Sequence, residues 1–278
     1  MIATVNNINP TAEIAEPVDG RTWILADGTD TDTVIDVRTM LATRNVASTM
    51  SARSVDPGSD DLTFNWAWGD GTSTVTTYRS NLARLDPKPS TEVNRRDVTD
   101  APVKTWANAC LYRVITTVSD DDGGSAVDAT WVVVTGTPTK QQGVGSWTAS
   151  LQGKGSTKLS ATQTACYLQA IDHLSVTFGA AADARPLTSA TDAIAILNPS
   201  GGPADQLGML DRAILAGWME LMNGGVTWNQ QVDTNGDRVP DAQFGQLLRN
   251  AETLRADPTA TAEQRSEQRR LLSKAVNL

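Results

Sequence analysis

Three aspartates and an asparagine lie close together near the end of the chain. They occupy positions 1, 3, 5 and 9 of the stretch 233–241, and a backbone carbonyl precedes the last of them. A hard cation such as Ca²⁺ needs six or more oxygen ligands at about 2.4 Å, and this spacing supplies most of them. The sequence therefore predicts a calcium site formed by Asp233, Asn235, Asp237, Val239 (through its carbonyl) and Asp241.

The stretch resembles the calcium loops of EF-hands, dockerins and thrombospondin type 3 repeats. It departs from the EF-hand pattern at Arg238, where EF-hands have Gly, and at Phe244, where they have a bidentate carboxylate. A missing ligand would come from water or from elsewhere in the chain. The alternative is an acidic turn between two helices in which Asp241 caps the second helix.

Other residues give little support for catalysis. The single histidine, His173, stands beside apolar positions of a predicted helix, with no acid or cysteine at ligand spacing. No glycine-rich phosphate loop follows a strand and opens a helix. The expectation is that the protein is not an enzyme, although it could be the accessory part of a secreted one.

Charge and hydropathy limit the classes of partner that the protein is expected to bind. The 278 residues carry a net charge of −9, and residues 1–136 hold most of it, with 19 acidic against 11 basic groups. An acidic front half argues against nucleic acid and anionic membranes as partners. No run of about 18 apolar residues exists, so membrane insertion is not expected. The first residues lack the pattern of a signal peptide, so any secretion signal would have been upstream or removed.

Alternation of apolar and polar residues predicts strands in the front half. From Leu62 to Trp68 every second residue is apolar, and turn-forming residues lie on both sides, at 56–58 and 69–71. Segment 79–106 has three prolines and no apolar period, which predicts a long surface loop. Further strands are predicted at 10–17, 33–41, 46–55, 110–119 and 126–135. Some seven short strands favour an antiparallel, immunoglobulin-like β-sandwich.

The composition changes after residue 136, where a linker is predicted at 137–146. Beyond it apolar residues recur at helical spacing within 167–178, 207–221 and 244–254. The Asp257-Pro258 pair predicts that a last helix follows it at 261–276. The division is thus a β-sandwich at 1–136 and a small α-helical domain of four or five helices at 147–278. Cys110 and Cys166 fall one in each part, so they form either an inter-domain disulfide or two free thiols.

Three motifs in the front half resemble the PKD (polycystic kidney disease repeat) domain over residues 8–136. They are Asp56-Pro-Gly, the run Trp66-Ala-Trp-Gly-Asp-Gly-Thr72, and Tyr112-Arg-Val followed by Asp120-Asp-Asp-Gly-Gly124. The resemblance implies that the last turn, the Asp56 turn and the N-terminal segment together bind calcium, which nominates Asn9, Asp56 and Asp120. A solvated, Asp-rich hairpin is the alternative.

The resemblance implies an extracellular, secreted or surface setting. The expected function is therefore a calcium-stabilised, non-catalytic module for adhesion or binding, whose partner is a protein or carbohydrate surface. Two alternatives stay open: a self-assembling decoration or spacer protein of a virion or surface layer, and a fragment of a secreted hydrolase.

Overall fold

The computed structural model describes residues 7–15, 24–25, 35–58, 60–79, 95–155, 158–179, 184–276 and 278. Within these residues, strands precede helices along the chain, apart from one short hairpin. The strands are β1 (Glu13–Ile14), β2 (Ile24–Leu25), β3 (Ile35–Thr43), β4 (Ser48–Thr49), β5 (Ala52–Asp56), β6 (Leu62–Ala67), β7 (Ser73–Tyr78), β8 (Arg96–Asp100), β9 (Val103–Lys104), β10 (Cys110–Ser119), β11 (Ser125–Thr135), β12 (Gln231–Val232) and β13 (Ala242–Gln243). The helices are α1 (Val144–Leu151), α2 (Ala161–Leu174), α3 (Ala190–Leu197), α4 (Gln206–Asn223), α5 (Phe244–Ala256) and α6 (Ala262–Leu272).

Two sheets make up most of the front half. The larger has the strand order β2-β3-β11-β10-β6-β7, and the smaller has the order β1-β5-β8. Neighbouring strands are antiparallel except β3 and β11, which are parallel, so the larger sheet is mixed. Two small pairs, β4 with β9 and β12 with β13, complete the pairing in the described chain.

The predicted strand at 62–68 and the pair of strands at 110–119 and 126–135 are confirmed. Strand β6 begins at Leu62, and its alternate residues Leu62, Phe64 and Trp66 are buried. Strands β10 and β11 pair from Cys110 with Val134 to Ser119 with Ser125. Alternation of apolar side chains was therefore sufficient to locate the strands that build the core.

The predicted surface loop at 79–106 is wrong for the part that the structure describes. Strands β8 and β9 lie within it, and β8 pairs with β5, where the Arg53 and Asp97 side chains form an ion pair. Strand β8 has exposed or half-buried polar residues at most positions, so no apolar period marked it. Residues 80–94 lie outside the described chain.

Apolar side chains form two clusters. The first lies between the two larger sheets: Ile14 and Ala52 of the smaller sheet share it with Leu62 and Phe64 of the larger. The second unites the helices and also includes Leu111 and Val133 from β10 and β11. The β10–β11 pair is therefore buried on both faces near Leu111 and Val133: one face packs against strands and the other against helices.

Helical periodicity located three of the six α-helices in the described residues, and the Asp257-Pro258 signal located a fourth. Helices α2, α4, α5 and α6 are confirmed, whereas α1 and α3 were not predicted because eight residues carry too short a period. Helix α1 begins at Val144, before the predicted end of the linker. None of the described helices combines the length and apolar character needed to cross a membrane.

A disulfide joins Cys110 of β10 to Cys166 of α2, with the Cα atoms 4.6 Å apart. The bridged alternative for the two cysteines is thus confirmed. Two turns further along α2, His173 Nε2 lies 2.9 Å from the Thr39 hydroxyl, and the His173 ring packs against Trp131. The histidine therefore helps to join the helices to the sheet.

Candidate metal centre

Three aspartates meet at one end of the front half. Asp56 ends β5, Asp60 belongs to the turn that follows it, and Asp120 comes directly after β10. One carboxylate oxygen from each lies within 4.8 Å of the other two. The three residues are 0%, 3% and 8% exposed. Two segments more than 50 residues apart in the chain thus deliver three buried carboxylates to one place.

Backbone N–H groups orient these side chains. The Gly58 N–H donates to Asp56 Oδ1 at 2.5 Å, an Asx-type contact of the Asp-Pro-Gly turn. The Gly124 N–H donates to Asp120 Oδ1 at 2.6 Å, which closes the turn between β10 and β11. The Asp61 N–H donates to Asp121 Oδ1, so the two turns are tied together.

The N-terminal segment lies against the same turn. The Asn7 side-chain amide donates to Asp120 Oδ2 at 2.9 Å. A methyl group on Gly124 would lie 2.3 Å from Asp120 Oδ2 and 2.9 Å from Asn9 Oδ1, so both oxygens line the space that glycine leaves open. The amide oxygen of Asn9 therefore stands beside the carboxylate cluster.

The cluster is electrostatically strained. Burial, followed by the neighbouring carboxylates of Asp56 and Asp122, raises the pKa of Asp60 to about 6. Burial likewise raises the pKa of Asp56, against the opposing effect of the Gly58 N–H. No positive charge is among the causes of either shift. Asp56 Oδ2 is buried and has no hydrogen-bond partner in the described chain.

These features fit a hard divalent cation. Two ligands of one calcium ion, each at about 2.4 Å, lie no more than about 4.8 Å apart, which is the limit that the three carboxylates meet. A cation would supply the missing partner of Asp56 Oδ2 and would lower the pKa of Asp56 and of Asp60. Asp56, Asp60, Asp120 and Asn9 would hold it, and water would complete the shell.

The second predicted site, the loop 233–241, is arranged differently. It is closed by the pair β12–β13 and is exposed along most of its length. Asp233 accepts hydrogen bonds from the N–H groups of Gly236 (2.6 Å) and Arg238 (2.7 Å), which lower its pKa. Asp237 Oδ1 accepts from the Val239 N–H, and Asn235 Oδ1 from the Asp237 N–H.

The loop's three aspartates do not form a second group like Asp56, Asp60 and Asp120, which is the one such carboxylate trio in the described chain. Asp241 does not cap the following helix either: its Oδ1 accepts from the backbone and hydroxyl of Thr234, whereas the N-cap of α5 is Gln243, without a side-chain cap. The alternative of a capping Asp241 is therefore wrong, because the residue closes its own loop. Calcium binding by Asp233, Asn235, Asp237 and the Val239 carbonyl stays a prediction.

Two residues of the centre were missed in the sequence. Asp60 comes four residues after Asp56 in a run rich in turn-forming residues. Nothing in the local sequence indicates which aspartate of such a run is buried. Asn7 precedes the first strand in a polar segment without periodicity. Trp106 and Trp147 are fully buried, so neither can stack on an external ligand, and Trp23 lies outside the described residues.

Comparisons with known proteins identify similar folds only. No family model matches the chain, and no curated protein matches it. The PKD domain of an M14-like peptidase from a Thermoplasmatales archaeon aligns with 46% of this chain and 98% of its own, at 16% identity and a TM-score of 0.26. The CARDB domain of a Pyrococcus furiosus protein, solved in complex with di-metal ions, aligns with 48% of this chain and 99% of its own, at 11% identity and a TM-score of 0.25.

A Niemann-Pick type C2 protein from the Japanese carpenter ant aligns with 48% of this chain and 99% of its own, at 5% identity and a TM-score of 0.24. Structures similar to this chain therefore include immunoglobulin-like domains, over less than half of its length. Similarity at this level carries no argument about function.

Proposed function

We propose that this protein is a non-catalytic, calcium-binding module of an extracellular or surface protein. The observation that carries the proposal is the buried trio Asp56, Asp60 and Asp120, with its unpartnered oxygen on Asp56. Burying like charges together is costly unless a cation neutralises them. The cluster is then a calcium site that fastens the N-terminal segment and two turns to one another.

Two further observations support the setting and the fold. The disulfide between Cys110 and Cys166 is typical of proteins in oxidising compartments. The shared apolar cluster between the two larger sheets supports an immunoglobulin-like sandwich of the PKD type in residues 1–136. Residues 147–278 form a helical domain packed against it, and the loop 233–241 is a second, weaker calcium site.

Within a larger secreted protein, such a module serves adhesion to a protein or carbohydrate surface, or supports an attached enzyme. Calcium would act by holding the turns that lie at one end of the sandwich. Extracellular calcium sites bind with dissociation constants of roughly 10⁻⁴–10⁻³ M, so the module would be loaded outside cells and not inside them.

Calorimetric titration of the full chain with calcium tests the proposal. Asp60→Asn keeps the size of the side chain and removes one charge, so it should weaken the tighter binding event by about tenfold or more. Asp128→Asn is the matched control, since Asp128 Oδ2 accepts from the Ile14 N–H outside the cluster, and it should bind calcium like wild type. Absence of calcium binding to wild type would refute the proposal, as would equal binding by Asp60→Asn.

A broad hydrolase assay of the same protein, with and without calcium, tests the non-catalytic role. We expect no turnover above a buffer blank. Robust turnover by the full chain would replace the binding module with an enzyme.

A further inference from the structure

A polar cavity lies where the sheet, the linker and the helices meet. We call it the junction cavity; its volume is about 420 Å³, and its lining includes Arg44, Lys140, Lys158, Gln163, Tyr167 and Asn223. The volume falls within the roughly 300–1,000 Å³ range of small-molecule sites. Neither the disulfide nor the metal centre contributes a residue to it.

The lining has an excess of positive charge. Three of its residues are cationic, and no Asp or Glu lines it among the residues that the structure describes. This is unexpected in a chain with a net charge of −9. Glu220 lies behind the lining, with one oxygen accepting from the Gln142 N–H and from the Trp147 indole.

Among the lining residues, Arg44 gives the clearest indication of an anionic ligand. It follows β3 and is half-buried, and its Nε is buried with no hydrogen-bond partner in the described chain. Its positive charge acts on Tyr167, where it opposes the rise in pKa that burial causes. Arg44 lines a cavity to which the described residues contribute no acidic side chain, and a carboxylate or phosphate is the partner that its planar donors fit best.

The remaining lining indicates a hydroxyl-rich ligand. The lining includes Asn223 and Gln163, which carry side-chain amides, and Thr137 and Thr139 of the adjoining linker. The Tyr167 hydroxyl lies 3.5 Å from Asn223 Oδ1, a weak contact that a ligand hydroxyl could improve. Amides and hydroxyls of this kind exchange hydrogen bonds with sugar hydroxyls.

We propose that the junction cavity binds an acidic saccharide unit, a sugar that carries a carboxylate or a phosphate, with Arg44 and Lys140 on the acid group. The site is separate from the metal centre and goes beyond the proposed calcium function. It would give the module a defined ligand class in place of an unspecified surface.

Calorimetry with four probes tests this site: glucuronate, glucose 6-phosphate, neutral glucose and inorganic phosphate. At least one acidic sugar should bind about tenfold or more tightly than both glucose and inorganic phosphate, and the first two probes distinguish carboxylate from phosphate. Equal binding of glucose, or equal binding of inorganic phosphate, would overturn the proposal.

Variants then assign the binding to the cavity. Arg44→Met should weaken the acidic sugar by about tenfold or more, Arg44→Lys should weaken it less, and the exposed Lys140→Gln should weaken it by a few-fold without affecting folding. Arg212→Met is the matched control: it removes an equally half-buried arginine eleven residues from Asn223, about 16 Å along α4. Unchanged binding by both Arg44→Met and Lys140→Gln would refute the site.

The metal centre is tested separately. Asp60→Asn should bind the acidic sugar like wild type, and titration in EDTA should give the same affinity. A failure of calcium binding would therefore leave the saccharide proposal standing, and the reverse also holds.

Discussion

Two acidic regions of this molecule carry similar side chains and differ in how their oxygens are used. In the loop 233–241, the carboxylate of the half-buried Asp233 already accepts hydrogen bonds from N–H groups of its own loop. In the Asp56 cluster, carboxylates from distant segments converge in a buried place, and an oxygen of Asp56 has no partner. The loop supplies hydrogen-bond donors to its own carboxylate, whereas the cluster leaves one carboxylate oxygen without a partner.

The direction of the pKa shifts expresses the same contrast. Backbone N–H groups lower the pKa of Asp233, so its charge is stabilised without a metal. Burial and like charges raise the pKa of Asp60 to about 6. Clustering of aspartates along the sequence is therefore a weaker indication of a cation site than convergence of buried aspartates in space.

The largest expected effect tests whether the Asp56 cluster is independent of the helical part of the molecule, to which the loop 233–241 belongs. Replacing Cys110 and Cys166 by serine opens a bridge between residues 56 apart, and the loop-closure model predicts a loss of about 4 kcal/mol of unfolding free energy. The ligands of the cluster all lie before the helices, so its calcium affinity should stay within about twofold of wild type. Urea unfolding and calorimetry measure the two quantities, and a joint loss would contradict independence.

A buried carboxyl outside both regions, that of Glu220, separates the effect of burial from that of like-charge repulsion. Glu220 has no neighbouring carboxylate among the causes of its shift, yet burial raises its pKa to about 7. Because its folded-state pKa lies above the usual value of 4.5, its contribution to stability is full below about pH 4.5 and is lost as the pH rises through 7.

Glu220→Gln removes this titration. Its unfolding free energy relative to wild type should rise by roughly 2–3 kcal/mol between pH 5 and pH 8, because only wild type loses stability through Glu220 over that range. Urea unfolding at several pH values measures the difference. A constant difference between the two proteins would mean that Glu220 is ionised in the fold throughout.

One glycine in each acidic region allows the two regions to be compared by the same substitution. Gly124→Ala would place a methyl group 2.3 Å from Asp120 Oδ2, so it should cost about 1–3 kcal/mol and weaken calcium binding by about tenfold. Gly236→Ala meets no atom within 4 Å but has φ of +87°, so it should cost about 1 kcal/mol through backbone strain alone. If Gly236→Ala weakened the tighter calcium site more than Gly124→Ala did, the ranking of the two regions would be reversed.

The sequence predicted those parts of the fold in which apolar residues recur at a fixed spacing. Alternation located β6, β10 and β11, and helical spacing located α4 and α5, because burial of one face imposes a period. Strand β8 escaped because it is held by pairing with β5 and by the Arg53–Asp97 ion pair, which impose no apolar period.

The metal centre could be predicted only in part, for a related reason. Asp56 and Asp120 were nominated through a family resemblance, and the structure brings them together. Asp60 is distinguished from Asp61 by burial alone, which depends on how the turn folds over the end of the sheets. The unpaired Nε of Arg44 could not be inferred either, because a missing partner has no sequence signal.

The central claim is that the buried cluster, and not the exposed loop, is the principal calcium site. Thermal unfolding of wild type, Asp60→Asn and Asp233→Asn/Asp237→Asn, each in EDTA and in calcium, tests it most directly. At 100 times the dissociation constant, calcium should stabilise wild type by about 2.7 kcal/mol, which raises the melting temperature by a few degrees. We predict that the loop variant keeps this rise and that Asp60→Asn, whose calcium binding is weakened tenfold or more, keeps no more than about half of it. A rise that persists in Asp60→Asn and disappears in the loop variant would contradict the account.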